Sequence, residues 1–152
     1  MNSRKKLAIL FWALTAICFV VIFIFSSDTA DESSRKSGYI LQFIIDIFGD
    51  NAATDFIVRK SAHFLEFTGT ALLMSAAFYY TLGKNKIHLP IIFTSLYAVT
   101  DEVHQIFVDG RSCELRDWAI DTLGATLGAI SFMVIFTIII KAKEFRKRGK
   151  NK

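Results

Sequence analysis

Residues 7–25 contain no charged side chain, and nothing more polar than Thr15 interrupts them. Nineteen residues of α-helix measure about 28 Å, close to the thickness of the hydrocarbon core of a bilayer. The basic residues just before this run also resemble the start of a secretory signal, but the run is longer than the usual signal core of about 7 to 15 apolar residues. We therefore expect a retained membrane-spanning helix.

The rest of the chain is also rich in apolar residues, which make up 53% of the sequence and include 15 Phe. They are massed in runs instead of being spread with the period of a soluble helix or strand. This excludes a disordered chain, a collagen-like repeat and an ordinary soluble domain. Together with the first run, three further segments predict a single all-α domain over residues 1–152 with four membrane spans, at about 7–25, 61–82, 90–108 and 117–140, followed by a basic tail at 141–152.

Small residues and proline refine these boundaries. Gly83 suits the left-handed position that follows a helix, so the second span is expected to stop before it. Pro90 is tolerated in a first helical turn and biases Leu89 away from helix, which places the start of the third span at residue 90. Gly124 and Gly128 have GxxxG spacing, and such small residues allow two helices to approach closely.

Basic and acidic residues are distributed unequally between the two ends of this predicted bundle. Twelve Lys or Arg and one acid, Glu144, flank one side, whereas six Lys or Arg and 13 acids lie on the other side or at its span ends. Basic residues are retained on the cytoplasmic side, so both termini are predicted to be cytoplasmic. The net charge of +4 is thereby explained by membrane topology, and we expect no nucleic-acid partner.

The external stretch between the first two spans covers residues 26–58. Its first part, 26–38, is polar and is predicted to be a loop. Residues 39–48 are apolar except for Gln42 and Asp46, which lie on one helical face, and ten residues are too few to cross a bilayer. They predict either a short interfacial helix on the outer surface or a lid over the bundle.

Ionisable residues concentrate at the outer ends of spans two, three and four. Arg59, His63 and Glu66 form one helical stripe. A charge near the bilayer centre costs about 2.5–3.5 kcal/mol, so such groups are expected to face the bundle interior and one another. The candidates for catalysis are His63, Glu66, Asp101, Glu102, His104 and Gln105, and those for substrate binding are Arg59, Lys60, Arg111, Asp117 and Asp121.

Four roles are open to this cluster. It can be a purely structural ion-pair network, although buried pairs are often no more stabilising than packed hydrophobes. It can hold a divalent metal, with His63 and Glu66 one turn apart, although no zincin pattern is present. A histidine oriented by a carboxylate can act as a general base, although no nucleophile signature accompanies it. We favour the fourth role, in which the basic residues bind the phosphate or carboxylate head of an outer-leaflet molecule.

The same residues carry a resemblance to the VanZ-like family, whose motifs read approximately R-K-x-A-H-F-x-E-Y, D-E-x-H-Q, P-G-R-S and D-x-x-x-D/N-x-x-G. The corresponding residues are 59–67, 101–105, 110–112 and 117–124. Phe67 replaces the frequent Tyr and Asp109 the frequent Pro, and neither change affects a charged position. The resemblance implies a small envelope protein of a family named for reduced susceptibility to the glycopeptide teicoplanin.

The resulting hypothesis is a multi-pass protein of the bacterial cytoplasmic membrane that binds or processes an anionic envelope lipid or a lipid-linked peptidoglycan precursor. Membrane lipids are the expected partners, and no cofactor is expected. The alternatives are an intramembrane hydrolase or transferase that depends on a divalent metal, and a structural network without catalytic role. The sequence leaves open whether the protein is an enzyme and in which oligomeric state it works.

Overall fold

The computed structural model describes residues 2–48 and 54–150. They form five helices: α1 (Ser3–Ser26), α2 (Ala30–Phe48), α3 (Asp55–Leu82), α4 (His88–Gln105) and α5 (Leu115–Lys150). No strand occurs among these described residues. The predicted all-α class is therefore confirmed.

The ends of α3 follow from local chemistry. The Thr54 side chain accepts a hydrogen bond from the Ile57 N–H, which satisfies one of the unpaired donors of the first turn. At the other end Gly83 has a φ of +76° and its N–H donates to the Tyr79 carbonyl. The left-handed conformation costs glycine little, so the predicted stop after Leu82 is confirmed.

The bounds of α4 differ from those expected. The helix begins at His88 and includes Leu89, so the prediction that Leu89 lies outside it was wrong. Pro90 fits in the first turn because an N–H there has no acceptor within the helix. The helix ends at Gln105 instead of 108. Residues 106–108 continue as turns in which Phe107 N–H donates to the His104 carbonyl at 3.0 Å, a tighter spacing than that of an α-helix.

The fifth helix begins two residues before the predicted span and continues ten residues beyond it, to Lys150. Lys, Arg, Glu and Ala dominate the added segment, and all are good helix formers. The basic tail is thus helical as far as Lys150, and its residues 141–148 are exposed.

The expected loop over residues 26–38 was wrong from Ala30 onwards, because α2 begins there. A reciprocal capping box starts the helix: the Glu32 N–H donates to Thr29 Oγ1 at 3.3 Å, and the Thr29 N–H donates to Glu32 Oε2 at 3.0 Å. This backbone hydrogen bond lowers the pKa of the Glu32 carboxyl. The predicted helix at 39–48 is confirmed as the C-terminal part of α2, and residues 49–53 of the external stretch lie outside the described residues.

Helices α1, α3, α4 and α5 form a bundle around α3, which contacts each of the other four helices. Consecutive helices of the four run in opposite directions, so α3 and α5 lie parallel to each other. At one end, Arg4 Nε donates to the Tyr80 carbonyl at 2.9 Å, and the Tyr79 and Phe136 rings lie 4.2 Å apart. At the opposite end, Gln105 Nε2 of α4 donates to Ser26 Oγ of α1 at 3.0 Å. The start of α1 and the C-terminal part of α5 therefore lie at the same end of the bundle.

The contact between α3 and α5 depends on two glycines. A Cβ added to Gly124 would lie 2.4 Å from the Phe64 carbonyl oxygen, and one added to Gly128 would lie 2.1 Å from that of Thr68. Backbone therefore touches backbone along this seam. The close approach predicted from the GxxxG spacing is confirmed.

The distribution of side chains is the reverse of that in a soluble bundle. Among the described residues, ten buried side chains are polar or charged, and six of the ten buried apolar residues are Ala. Large apolar side chains such as Ile17, Val20 and Leu65 are exposed instead. Small residues inside and large apolar residues outside are typical of helices packed within a membrane.

Two described helices, α1 and the Leu115–Arg148 part of α5, are long and apolar enough to cross a membrane. Only 11% of the most apolar window of α1 and 22% of that of α5 is buried in the bundle, so neither resembles the core helix of a soluble protein. Helices α3 and α4 carry more polar residues and do not meet the same criterion.

Candidate functional site

A small cavity lies between α3, α4 and α5 at the end of the bundle opposite the basic tail. Its volume of about 20 Å³ has room for about one water molecule. Eight of its nine lining residues are sequence candidates, and the set is Arg59, Lys60, His63, Glu102, Gln105, Arg111, Asp117, Ile120 and Asp121. The structure therefore gathers residues from three helices and one loop into a single polar site.

An ion pair between Lys60 and Asp117 crosses from α3 to α5 at this site. Arg116 Nε also lies 3.8 Å from Asp117 Oδ1, and Arg116 donates to Glu114 Oε2 at 2.8 Å on the exposed side. The pair is half-buried, so the protein shields it partly from water. It brings the N-terminal turns of α3 and α5 together beside the cavity.

Asp121 lies one turn beyond Asp117 on α5. Its exposed fraction is 1%, and both of its carboxylate oxygens are without a hydrogen-bond partner among the described residues. A buried polar group without a partner costs free energy, and an unpaired carboxylate costs more than an amide or a hydroxyl. Packing and hydrogen bonding among the described residues do not explain this buried aspartate.

A hydrogen-bond network joins α4 to the end of α1. Gln105 Nε2 donates to Ser26 Oγ at 3.0 Å and to Asp101 Oδ2 at 3.2 Å, and all three residues are buried. Asp101 thus lies behind Gln105, which reaches the cavity. Sequence reasoning assigned Ser26 no role. The signal for it was a pair of hydroxyl residues at the outer end of the first span.

His104 lies on the α1 side of the bundle and does not line the cavity. Its Nε2 lies 3.0 Å from Ser27 Oγ, and its ring centroid lies 4.6 Å from that of Phe23. These contacts tie the end of α4 to the end of α1.

The loop after α4 folds back over the bundle and delivers Arg111. Gly110 has a φ of +73°, and a Cβ there would lie 2.9 Å from that of Ala30, so a larger residue does not fit. Arg111 Nε donates to the Asp28 carbonyl at 3.2 Å. Glu102 holds the other end of the loop, since its Oε2 accepts from the Glu114 N–H at 2.8 Å.

Arg111 is half-buried beside a second cation. Burial lowers the pKa of its guanidinium from the ordinary value, and the positive charge of Arg59 lowers it further. Two guanidinium groups close together at a partly desolvated position are chemically suited to binding an anion.

Glu66 lies on the other side of this basic pair, in a groove between α2 and α3. The groove has a volume of about 270 Å³, and Arg59, His63 and Arg111 line both it and the small cavity. Every sequence candidate except His104 and Asp101 therefore lines one of two adjoining spaces.

The described residues contain no group of three or more His, Cys, Asp or Glu that could hold a metal ion. The loop hydroxyl of Ser112 donates to Glu114 Oε1 at 3.2 Å, and Cys113 is exposed. Arginine and lysine side chains in such a site can bind an anion, and the neighbouring carboxylates can hold those side chains in position.

A family model described as VanZ/LLP1 matches residues 11–137, most of the chain. The matched range contains all the residues of the cavity, the groove and the network behind them. Comparisons with curated proteins and with solved structures give no match.

Proposed function

The chain belongs to the VanZ/LLP1 family, and on this basis, together with the site, we propose that it recognises the anionic headgroup of an envelope lipid or lipid-linked peptidoglycan precursor. The site would lie in the outer half of the bacterial cytoplasmic membrane. Helices α1, α3, α4 and α5 would be its four spans, and α2 would lie at the outer surface.

The alternating direction of successive helices in the bundle supports this topology. The ends of the helices with the basic flanks, at Arg4, at residues 84–86 and at 141–150, lie together, and the polar site lies at the opposite end. Basic residues favour the cytoplasmic side, so both termini would be cytoplasmic and the site would face outward. Because polar residues of α3 and α4 face the site, these two helices can cross a membrane despite their lower hydropathy.

The observation that carries the proposal is the convergence of Arg59, Lys60 and Arg111 at the two adjoining spaces. Lys60 pairs with Asp117, and a guanidinium suits phosphate better than an ammonium does, so we take Arg59 and Arg111 as the principal anion ligands. Guanidinium groups bind phosphate through two parallel hydrogen bonds, and partial burial strengthens such bonds.

The unpaired carboxylate of Asp121 favours this proposal over a purely structural network. A network retained for stability would pair its members, because an unpaired buried charge destabilises the fold. Functional sites commonly retain such costly groups.

The experiment compares Arg111→Lys with Arg111→Gln in a strain whose teicoplanin susceptibility depends on this protein, at matched membrane levels. Loss of one charge-assisted hydrogen-bonded pair should weaken headgroup binding about tenfold or more. Arg111→Gln should abolish the phenotype, and Arg111→Lys should retain only part of it because lysine lacks the forked geometry.

Arg116→Gln is the matched control, since this nearby arginine is exposed and pairs mainly with Glu114 outside the cavity. It should behave as the unmodified protein. Full phenotype in Arg111→Gln would refute the proposal, and full phenotype in Arg111→Lys would show that only charge is needed.

A further inference from the structure

The groove between α2 and α3 is lined by two chemically distinct kinds of side chain. Phe25, Ile40, Val58 and Ala62 supply apolar surface, and three further residues supply basic groups. The basic residues are Lys36, Arg59 and Arg111. Such a combination matches a molecule with an anionic head and an apolar chain.

Basic side chains outnumber acidic ones in the lining of the groove. Lys36 forms an ion pair with Asp28 at 2.6 Å. The other charged lining residues are Arg59, Arg111 and Glu66. The hydrogen bond of Arg111 to the Asp28 carbonyl uses only Nε, which leaves its two terminal amino groups for a ligand.

The protein surface next to the groove is apolar. Helix α2 exposes Tyr39, Phe43 and Ile47, with exposed fractions of 74%, 66% and 55%, and α3 exposes Leu65. An amphipathic helix with such a face lies in the interface of a bilayer. The groove would thus open towards lipid chains, and a ligand could enter it sideways from the membrane.

The size of the groove limits the ligand. A volume of about 270 Å³ lies just below the range of about 300–1,000 Å³ typical of sites that enclose a whole small molecule. It accommodates a phosphate and the first part of one chain, while the remainder of the chain extends along the exposed apolar faces.

We infer that the α2–α3 groove is a binding site for a chain-bearing phosphate of the outer leaflet, with the phosphate at Arg59 and Arg111 and the chain along Ala62, Val58 and Ile40. This inference rests on the proposed function and adds the lipid chain to it as a recognised part of the ligand. Ala62 is central because its small side chain keeps the apolar part of the groove open.

The test uses the purified full-length chain in a neutral detergent. Thermal unfolding is measured with dodecyl phosphate, with inorganic phosphate and with dodecanol, each over a concentration series. Ligands that bind the folded state raise the unfolding temperature in proportion to their affinity. Dodecyl phosphate should stabilise the protein strongly, and the two partial probes should stabilise it weakly.

Two neighbouring substitutions then locate the chain. Ala62→Trp fills the groove and should weaken the apparent affinity for dodecyl phosphate about tenfold. Ser61→Trp is the matched control: Ser61 is the adjacent exposed residue on α3, and it lines a different surface depression with Phe56 and Leu65. This variant should bind as the unmodified protein does. If Ala62→Trp does not fold, Ala62→Met replaces it, with a smaller loss of affinity expected.

The outcomes separate the inference from the function on which it rests. Equal stabilisation by inorganic phosphate and dodecyl phosphate would overturn the chain site and leave headgroup recognition standing. Unchanged affinity in Ala62→Trp would also overturn the chain site. Equal stabilisation by dodecanol and dodecyl phosphate would overturn headgroup recognition itself, and the inference with it.

Discussion

Replacing Gly128 by alanine should separate α3 from α5. A Cβ at this position would lie 2.1 Å from the Thr68 carbonyl oxygen, whereas ordinary contact begins at 3.4 Å, so the helices must part by about 1.3 Å (3.4 − 2.1) at this point. The obstructing atom belongs to the backbone, and no rotamer change can relieve the clash. Overpacking of this kind costs about 1–3 kcal/mol.

The matched control is Gly69→Ala on α3, where an added Cβ meets no atom within 4 Å. Both substitutions improve helix propensity by a similar amount, of about 0.5–1 kcal/mol, so their difference isolates the clash. Gly128→Ala should therefore unfold with a free energy about 1–3 kcal/mol lower than that of Gly69→Ala. By the usual scaling for chains of about 150 residues, this is a Tm difference of about 2–12 °C.

The assay is thermal unfolding of the purified chain in a mild detergent, followed by circular dichroism. The double variant Gly124→Ala/Gly128→Ala adds a further check, because one separation of the helices relieves both clashes and the combined loss should be smaller than the sum. Equal stability of Gly128→Ala and Gly69→Ala would refute the close approach of α3 and α5. The juxtaposition of Lys60 and Asp117 across the same seam would then be in error as well.

Three further predictions concern the topology and the polar site. Exposed Cys113 should react with an impermeant thiol reagent in intact cells, with a Cys113→Ser variant as the background control, and labelling only in inverted vesicles would reverse the proposed orientation. Asp121→Asn should unfold at the same or a higher temperature, because an uncharged amide is less costly to bury than a carboxylate. The same variant should lose the teicoplanin phenotype. A large loss of stability would instead assign Asp121 to the structural framework. Lys60→Met should lower the free energy of unfolding because it leaves the Asp117 carboxylate without its partner. The loss should be at most about 3–5 kcal/mol, the cost for a fully buried pair, because this pair is partly accessible to solvent. Lys60→Met/Asp117→Leu should recover much of the loss, and no recovery would argue against the ion pair as the cause.

Helical spacing made much of the site predictable from the sequence. Arg59, Lys60 and His63 fall within one turn or so of α3, and Asp117 and Asp121 are one turn apart on α5, so each set shares a helical face in any packing. Burial of charge in an apolar environment then requires these faces to turn inward. The structure brings both sets to one cavity.

The sequence contains a local signal for the start of α2, but the prediction of a loop followed the polar composition instead. Residues 26–38 are polar, which favoured a loop, yet Thr29 and Glu32 have the spacing of a capping box. A polar composition is also what an exposed helix face requires. The capping pair was therefore the better guide to where the helix begins.

The sequence by itself determined the helical class, the small-residue face of α5, and the concentration of charge at one end of the chain's apolar segments. These depend on residues a few positions apart, whose relation is set by the geometry of a single helix. Only the tertiary structure decided that His104 turns towards Ser27, that Gln105 joins Asp101 to Ser26, and that Glu66 lies in a groove instead of the cavity. Those relations join residues up to about 80 positions apart, and they depend on how each helix is rotated about its axis, which is fixed by packing against neighbours and by the path of the loops.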